Sequence, residues 1–326
     1  MLSINGGGCA MIYICKLNPE SVDNFTIPGV KQVVHLDDKS SYHYTLWTQG
    51  KMHLYLMPSI FQNEALDLVS ISLMVFYADR TLKRSLQSDS WTREFTIYMP
   101  VLKRDKWNAS RTLLERMLTY LTGDIWHFEF RQRILNDYEN NAINGISKYH
   151  KSNKLQVSQF CMLSGGLDSF IGAIDELSAG HPTIFVGNYN GGKGVSIYQD
   201  KVINLLKEHF QVSQDTFYQF YAAPIKGSED STRSRSFMFF SHAILLASCM
   251  RTSVRLIIPE NGVISLNIPL TVHRSGSLST RTTHPYYMGM FQCLLDNLSI
   301  DVTFYNPYQF MTKGEMLLNC QDQDFL

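Results

Sequence analysis

The chain has 326 residues, of which 44% are hydrophobic, and its 29 basic residues balance its 29 acidic ones. This length suffices for about two domains that each bury a core. A formal net charge of zero excludes a general attraction to the nucleic-acid backbone, and the sequence lacks the local basic patch that would replace it.

The apolar runs argue against a membrane location. The longest of them, Leu68 to Tyr77 and Phe237 to Ala247, are shorter than the roughly 20 residues of a membrane span and are interrupted by polar residues. The first residues lack the basic stretch and apolar core of a secretion signal. We therefore expect a cytoplasmic protein with no membrane partner.

The six cysteines are scattered and contain no C-x-x-C pair, so they indicate neither a disulfide framework nor a zinc site. Cys161 lies in a strand pattern and Cys249 lies near the end of a helix pattern. Small buried thiols fit these positions better than disulfide partners or nucleophiles. We expect reduced cysteines.

In the first half of the chain, apolar and polar residues alternate with a period of two in several blocks. These blocks are Met11 to Leu17, His43 to Pro58, Leu68 to Leu82, Phe95 to Leu102 and Trp126 to Arg131. The alternation predicts half-buried antiparallel strands. Helical spacing of leucines predicts one amphipathic helix from Ser110 to Thr122. Residues 1–150 are therefore predicted to form a β-rich companion domain, whose four tryptophans pack in its core rather than stack on a ligand.

Residues 133–155 are polar and predict a connection, which puts a domain boundary near residue 150. From residue 156 strands alternate with helices. The predicted elements are Val157 to Leu163, Ser169 to Ser178, Thr183 to Asn188, Val195 to Phe210, Phe217 to Ala222, Ser234 to Met250, Arg255 to Pro259, His284 to Leu298 and Val302 to Tyr305. This alternation predicts that residues 151–326 form a parallel sheet with helices on both faces, which binds ligands beyond the carboxyl ends of its strands.

The first of these strands runs through Ser164-Gly165-Gly166-Leu167-Asp168-Ser169 directly into a helix. The glycines allow a sharp turn and close approach of an anion, and the start of the helix supplies free N–H groups. The loop lacks the Gly-Lys-Ser/Thr ending of a Walker A motif, which argues against a kinase or a motor ATPase. A plain glycine turn capped by Asp or Ser is the alternative, and the strand-turn-helix context favours phosphate binding over it.

Residues 164–169 match the S-G-G-x-D-S signature of the PP-loop ATP pyrophosphatases, so residues 156–326 resemble that family. The resemblance implies the adenine nucleotide alpha hydrolase-like fold and cleavage of ATP to AMP and pyrophosphate. The ATP-binding residues that it implies are Leu163, Ser164, Gly165, Gly166, Leu167, Asp168, Ser169, Asn188 and Tyr189. Asp168 is expected to hold Mg²⁺ through the phosphates, because a carboxylate beside a triphosphate needs a divalent cation between them; a helix N-cap is its alternative role.

Two cations complete the expected catalytic set with Asp168. Family members have an arginine against phosphate at the position of Arg235, for which Arg233 is the alternative. Thr312 and Glu315 form a capping box, which leaves Lys313 beside a helix N-terminus, where a cation is disfavoured unless an anion also binds there. A comparable Thr/Ser-Lys-x-Glu motif reaches the pyrophosphate in the family, so Lys313 is expected to do the same.

Polar segments after the fourth strand of the second half predict the substrate site. The candidate residues are Glu260, Asn261, Arg274, Ser279, Thr280, Arg281 and Thr282. Such hydroxyls and arginines could hold a carboxylate and a purine-like edge, although a disordered polar loop would have the same composition.

Within the family, the order of motifs resembles the 7-cyano-7-deazaguanine synthase (QueC) branch, and in particular its relatives in bacterial anti-phage operons, the QatC group. Ser234-Arg235-Ser236-Phe237 and Pro259-Glu260-Asn261-Gly262 carry this likeness. It implies ATP-dependent adenylylation of a 7-deazaguanine carboxylate, followed by amide or nitrile formation or by conjugation to a partner protein of the operon (QatB-like). QueC-type chains end in a cysteine cluster that binds Zn²⁺, whereas here only Cys320 lies near the end, so we expect a truncated chain or a lost zinc and a loosened end.

A scaffold that binds a partner defence protein without turnover is the alternative function. A third possibility, tRNA modification, is disfavoured because catalytic C-x-x-C thiols and a basic run are absent from the sequence.

Overall fold

The computed structural model describes residues 10–36, 41–44, 56–148, 155–189, 193–225, 227–266 and 281–326. Its strands are β1 (Met11–Lys16), β2 (Val33–His35), β3 (Tyr42–Tyr44), β4 (Glu94–Val101), β5 (Ile125–Gln132), β6 (Gln159–Met162), β7 (Thr183–Tyr189), β8 (Phe217–Pro224), β9 (Val254–Ile257) and β10 (Val302–Tyr305). Its α-helices are α1 (Asn63–Thr81), α2 (Arg104–Thr122), α3 (Asp137–Lys148), α4 (Leu167–Ser178), α5 (Lys193–Phe210), α6 (Arg235–Ser248), α7 (Gly262–Leu266), α8 (Pro285–Leu298) and α9 (Lys313–Leu318). The protein is an α/β protein with two sheets.

The first sheet has the order β2-β1-β4-β5 and is parallel throughout. The prediction of antiparallel strands in a β-rich domain is therefore wrong. Phe95, Ile97 and Met99 of β4 are buried, whereas Thr96 and Tyr98 between them are partly exposed. This sheet buries mainly one face. A strand with one buried face alternates apolar and polar residues whether its neighbours are parallel or antiparallel, so the alternation does not identify the strand direction.

The segment Leu68 to Leu82, predicted as a strand, belongs to helix α1 instead. All residues from Ala65 to Phe76 are buried, because α1 packs against α6 and also contacts β4 and β8 of the two sheets. A helix that is covered on every side has no polar stripe, so its sequence lacks the 3.6-residue period that would have identified it.

Two further helix predictions need correction. Helix α2 begins at Arg104 rather than at Ser110. Helix α3 occupies much of the predicted connection, residues 133–155. It starts where Glu139 N–H donates to Asn136 Oδ1 (2.9 Å) and Asn136 N–H donates to Glu139 Oε2 (2.8 Å). This reciprocal capping, an Asn-x-x-Glu variant of the capping box, stabilises a helix whose sequence is largely polar.

The second sheet has the order β10-β9-β6-β7-β8-β3. Strands β6 to β10 are mutually parallel, as predicted, whereas β3 pairs antiparallel with the edge of β8. Phe160 and Met162 of β6 enter the core that contains α6 and α8, and Cys161 enters the core that contains α4 and α5. The expectation of helices on both faces is confirmed.

The chain reverses its direction of progress across this sheet between β6 and β9. From β6 it adds β7 and β8 on one side, and it then returns to add β9 and β10 on the other. The connections that follow β6 and β9 therefore diverge and leave a crevice at the carboxyl ends of these two strands. In open α/β sheets this is where ligands bind.

The two sheets share one large core, which contains Phe95 and Trp126 from the first sheet and Phe160 from the second. The boundary near residue 150 separates most strands of the two sheets, but β3, from the first half, joins the second. Trp107 and Trp126 are buried as expected, Trp91 is 40% exposed, and Trp47 lies outside the described residues.

Among the described residues, every cysteine except Cys293 is buried. In the same part of the chain, we find no helix that combines the length and the apolar character needed to cross a membrane.

Helix α4 packs closely against the loop that follows β9, and a substitution at the point of contact tests this packing. A Cβ on Gly172 would lie 2.4 Å from Pro259 Cγ, so Gly172→Ala should lower the free energy of unfolding by about 1–3 kcal/mol through overpacking. Urea denaturation measures this change. Gly145→Ala in α3 is the matched control: its Cβ meets nothing within 4 Å, and better helix propensity should raise stability by roughly 0.5–1 kcal/mol. Equal effects of the two substitutions would contradict the close packing of α4.

Candidate functional site

The loop between β6 and α4 is a tight glycine turn. Gly165 has a φ of +84°, which favours glycine, and a Cβ there would lie 2.9 Å from Gln199 Cγ. Gly166 is the N-cap of α4, which begins at Leu167, two residues earlier than predicted. Ser164 Oγ lies 3.0 Å from Ser169 Oγ and accepts from Gly166 N–H. The turn thus presents hydroxyls and the first N–H groups of a helix at the carboxyl end of β6.

Asp168 joins three loops at this point. Its Oδ1 lies 2.8 Å from Lys313 Nζ, and its Oδ2 accepts from Asn261 Nδ2 (2.7 Å) and Asn261 N–H (3.1 Å). Asn261 follows β9, and Lys313 begins α9 after β10. Three residues that the sequence singled out, far apart in the chain, therefore lie in direct contact at the crevice between β6 and β9.

A second carboxyl group, Glu260, lies against Asp168. Burial and then the neighbouring Asp168 carboxylate raise the pKa of Glu260 to about 8. Burial also raises the pKa of Asp168, but Lys313 and Asn261 outweigh it and hold that pKa below its ordinary value. Near neutral pH the two groups therefore share one proton, which is on Glu260, and Asp168 carries the charge.

A cavity of about 260 Å³, which we call the polar cavity because hydroxyl and charged side chains line part of it, adjoins Glu260. It is lined by Met162, Ser164, Ser169, Thr232, Arg235, Ser236, Phe239, Phe240, Ile258, Pro259, Glu260, Thr282 and Thr283. The Arg235 guanidinium lies over the Phe239 ring at 5.2 Å, and among the described residues no carboxylate pairs with it. Burial lowers the pKa of the Arg235 guanidinium. Arginine nevertheless stays protonated in proteins, so the cavity contains a cation suited to an anion.

An apolar cavity of about 370 Å³ adjoins the polar one and shares Ile258 and Thr283 with it. Its other lining residues are Ser265, Leu266, Pro285, Met288, Phe304, Tyr305, Asn306, Gln309 and Phe310. It lies at the carboxyl ends of β9 and β10. The polar and apolar spaces together form one composite site.

Several predicted site residues lie elsewhere. The Asn188 side chain is buried and lies 3.0 Å from His242 Nδ1, so it faces the interior rather than the cavity. Arg281 donates to the carbonyl of Tyr120 and lies over its ring, which ties it to α2. The alternative arginine, Arg233, donates to the Thr122 carbonyl at 2.7 Å. Arg274, Ser279, Thr280 and the side chain of Tyr189 lie outside the described residues.

The sequence motifs do not identify Gln199 as a residue of the site. Its Nε2 donates to Ser164 O (3.0 Å) and Asn188 O (3.1 Å), and it thereby clamps the glycine turn to the end of β7. The side chain is 1% exposed. A signal was present, since Gln199 lies three and four residues before Val202 and Ile203, on the apolar face of α5, where a buried amide needs partners.

The end of the chain is well packed, contrary to the expectation of a loosened segment. The Phe325 ring stacks on His209 at 3.9 Å and contacts Phe170 and Phe210. Asp322 accepts from His209, and Gln321 N–H donates to Asp175. Within the described ranges there is no group of three or more His, Cys, Asp or Glu side chains that could hold a metal ion.

The shared proton of Glu260 and Asp168 predicts a pH dependence of stability. The pKa of Glu260 is about 8 in the folded chain against an ordinary 4.5, so between these values only the unfolded chain releases the proton, and stability falls as pH rises through this window. Glu260→Gln cannot ionise and should escape this loss. The melting temperature of this variant minus that of the parent should therefore grow from pH 5 to pH 8.5. Both are measured in buffer without divalent cations. Exposed Glu208→Gln is the control, and a pH-independent difference for Glu260→Gln would refute the shared proton.

No protein-family model and no curated protein sequence matches the chain. One solved structure, described as an adenylation, ketoreductase and pseudo Asub multidomain structure of a keto acid-selecting NRPS module, is similar over 94% of this chain, with 8% sequence identity and a TM-score of 0.28. The chain spans about a third (34%) of that structure's own length. A similarity at this level carries no argument about fold or activity.

Proposed function

We propose that the protein activates a carboxylate by adenylylation with ATP and releases pyrophosphate. The observation that carries this proposal is the contact between Asp168 and Lys313 under the glycine turn at the β6/β9 crevice. Lys313 and Arg235 supply positive charge, Asp168 supplies one ionised carboxylate, and the N–H groups of the turn can donate to phosphate oxygens. Together these groups form a site for a polyanion with a bound cation. The S-G-G-x-D-S likeness supports ATP as that polyanion.

The residues support specific roles in this reaction. N–H groups of the turn and the hydroxyls of Ser164 and Ser169 bind the β and γ phosphates, and Lys313 and Arg235 neutralise the charge that develops on them. A carboxylate oxygen of the substrate attacks the α phosphorus, and the bond from this phosphorus to the α,β-bridging oxygen breaks. Pyrophosphate leaves with the electron pair of that bond. The products are an acyl adenylate and pyrophosphate.

Mg²⁺ fits the carboxylates that are present. Asp168 and Glu260 supply hard oxygen donors, and Mg²⁺ typically takes one or two carboxylates together with phosphate oxygens and water. Mg²⁺ would displace the proton that Glu260 and Asp168 share, since a divalent cation lowers the pKa of a carboxyl group that binds it. When bound, the cation would neutralise part of the charge of the phosphates, and Asp168 and Glu260 would hold it.

The adjoining apolar cavity supports an acyl substrate with a flat ring. Phe304, Met288 and Leu266 offer apolar walls, and the shared Thr283 leads to the polar cavity where the carboxylate would react. The resemblance to the 7-cyano-7-deazaguanine synthase branch favours a 7-deazaguanine carboxylate. An amine, either ammonia or an amine of a partner protein in anti-phage defence, would then attack the acyl carbon and displace AMP to give an amide or a conjugate. A nitrile would form from the amide by loss of water, driven by a second ATP.

Removing either charged member of the central contact should disable turnover. Asp168→Asn and Lys313→Ala should each lower pyrophosphate release by about 10²-fold, because each removes one preorganised electrostatic contact. A coupled phosphate assay with ATP, Mg²⁺ and a deazaguanine carboxylate measures this rate. Lys207→Ala, which removes a partly exposed lysine on α5 outside the site, is the matched control and should leave the rate unchanged. Unaltered release in Asp168→Asn would exclude the proposed reaction.

A scaffold without turnover is the second candidate. The Asp168 carboxylate already has partners in Lys313 and Asn261, and a protein that uses this loop only to stabilise its fold would retain the same contacts. Calorimetric titration with ATP and Mg²⁺ separates the two functions. The enzyme requires ATP binding, followed by pyrophosphate release once the deazaguanine carboxylate is added, whereas the absence of heat and of pyrophosphate would favour the scaffold.

The role of the apolar cavity can be tested by filling it. Leu266→Trp should raise the KM for the deazaguanine carboxylate by about tenfold, since a bulky ring would occupy the acyl space, while the KM for ATP stays constant. Val263→Trp is the control on the same helix, at an exposed position outside the cavity lining. Steady-state AMP formation at varied substrate concentrations measures both constants. A parallel rise in both KM values would argue against a separate acyl compartment.

A further inference from the structure

The segment that leads into helix α6 is held by the first half of the chain. Ser228 N–H and Glu229 N–H both donate to the Arg80 carbonyl, at 2.8 and 3.0 Å. Arg84 N–H donates in return to Glu229 Oε2 (2.9 Å), and Ser228 Oγ donates to the carbonyl of Thr81 (2.7 Å). The end of α1 and the residues after it therefore fix the path of the chain immediately before α6.

A buried ion cluster lies behind this segment and consists of Asp79, Arg84, Arg93 and Asp124, which we call the Asp79 cluster. Arg93 lies 2.5 Å from Asp79 and 2.6 Å from Asp124, and all three side chains are fully buried. Arg84 makes a bidentate contact with Asp124 at 2.9 and 2.7 Å. Burial raises the pKa of Asp79, but Arg93, Ser234 and Ser231 together outweigh burial and hold that pKa below its ordinary value. Asp79 is therefore an ionised anchor with a fixed position.

This anchor grips the residue that starts helix α6. Asp79 Oδ2 accepts from Ser234 Oγ at 2.7 Å and from Ser234 N–H at 3.2 Å. Ser234 is the N-cap of α6, yet its hydroxyl makes no capping bond to its own helix. A serine at this position usually accepts a hydrogen bond from the helix N–H groups. Here that stabilisation is given up, and the hydroxyl fixes the helix start to the first half of the chain instead.

We infer that Asp79 and Ser234 are positioning residues for Arg235. Arg235 is the first residue of α6, directly after Ser234, and it lines the polar cavity without a carboxylate partner among the described residues. A long cation on a helix end has many rotamers, so the point and direction at which its backbone enters the cavity decide which atoms it can reach. The Asp79 cluster sets that point. This inference rests on the proposed role of Arg235 toward phosphate, and it gives the first half of the chain a function in nucleotide binding.

A double-mutant cycle between positions 234 and 235 tests the inference. Ser234→Ala removes the hydroxyl bond to Asp79 but keeps the N–H bond, and it should raise the KM for ATP in the pyrophosphate assay by about tenfold. Arg235→Ala should raise it further. In the Arg235→Ala background, Ser234→Ala should change the KM less than twofold, because its effect acts through the missing guanidinium.

The control and the opposing outcomes separate the inference from loss of stability. Ser241→Ala removes a buried hydroxyl of the same helix that bonds the Phe237 carbonyl, and it should lower the melting temperature without a change in KM. Ser234→Cys keeps the shape with a weaker donor and should give an intermediate KM, which provides a second variant if Ser234→Ala folds poorly. Additive losses, or a normal KM in Ser234→Ala, would overturn the positioning role while the proposed function stands. An unchanged KM in Arg235→Ala would remove the phosphate role of Arg235 and the inference together, and no pyrophosphate release by the parent protein would refute the proposed function itself.

Discussion

One ionised carboxylate, Asp168, links the loops at the carboxyl ends of the strands of the second sheet. Hydrogen bonds between parallel strands stop where the strands end, so the loops beyond them need other links. Asp168 supplies these links, since it accepts from Asn261 after β9 and pairs with Lys313 after β10. The close contact of Gly172 with Pro259 brings α4 near enough for these bonds to form. Without the carboxylate, the Lys313 ammonium and the Asn261 amide would lose the acceptor that they share.

The same end of the sheet combines two kinds of surface. Arg235 and the turn at residues 164–169 make one wall cationic and rich in N–H groups, while Phe304 and Met288 make the neighbouring space apolar. Enzymes that join a nucleotide to an organic acid need both, one for phosphate and one for the acyl body. Glu260 lines the cationic side, and without a bound cation it stays neutral near pH 7, because burial and the charge of Asp168 both disfavour a second negative charge there.

The second half of the fold was predictable because its central strand β6 is buried on both faces and because α4 and α5 carry clear apolar stripes. The first half was not predictable, because two physical effects change the spacing of apolar residues from which strands and helices are inferred. One-sided burial makes parallel β4 and β5 alternate like antiparallel strands, and burial on all sides removes the helical period from α1. The position of the motifs after the strands singles out Asp168, Asn261 and Lys313, but it predicts Asn261 at the substrate and Lys313 at the pyrophosphate, and it does not predict their contact with Asp168. Asn188 differed because the interior of the protein, which no local pattern reports, supplies it with His242 as a partner.

Strand β3 has a consequence for how the chain can be divided. Tyr42–Tyr44 covers the outer edge of β8, and the shared core places apolar side chains of both halves in contact. A fragment cut at residue 150 would leave the open N–H and C=O row of β8 unpaired and would uncover apolar surface beside it, which is the condition that promotes edge-to-edge association. The three-residue strand therefore covers the end of β8 at Ala222–Pro224, and together with the shared core it links the two halves.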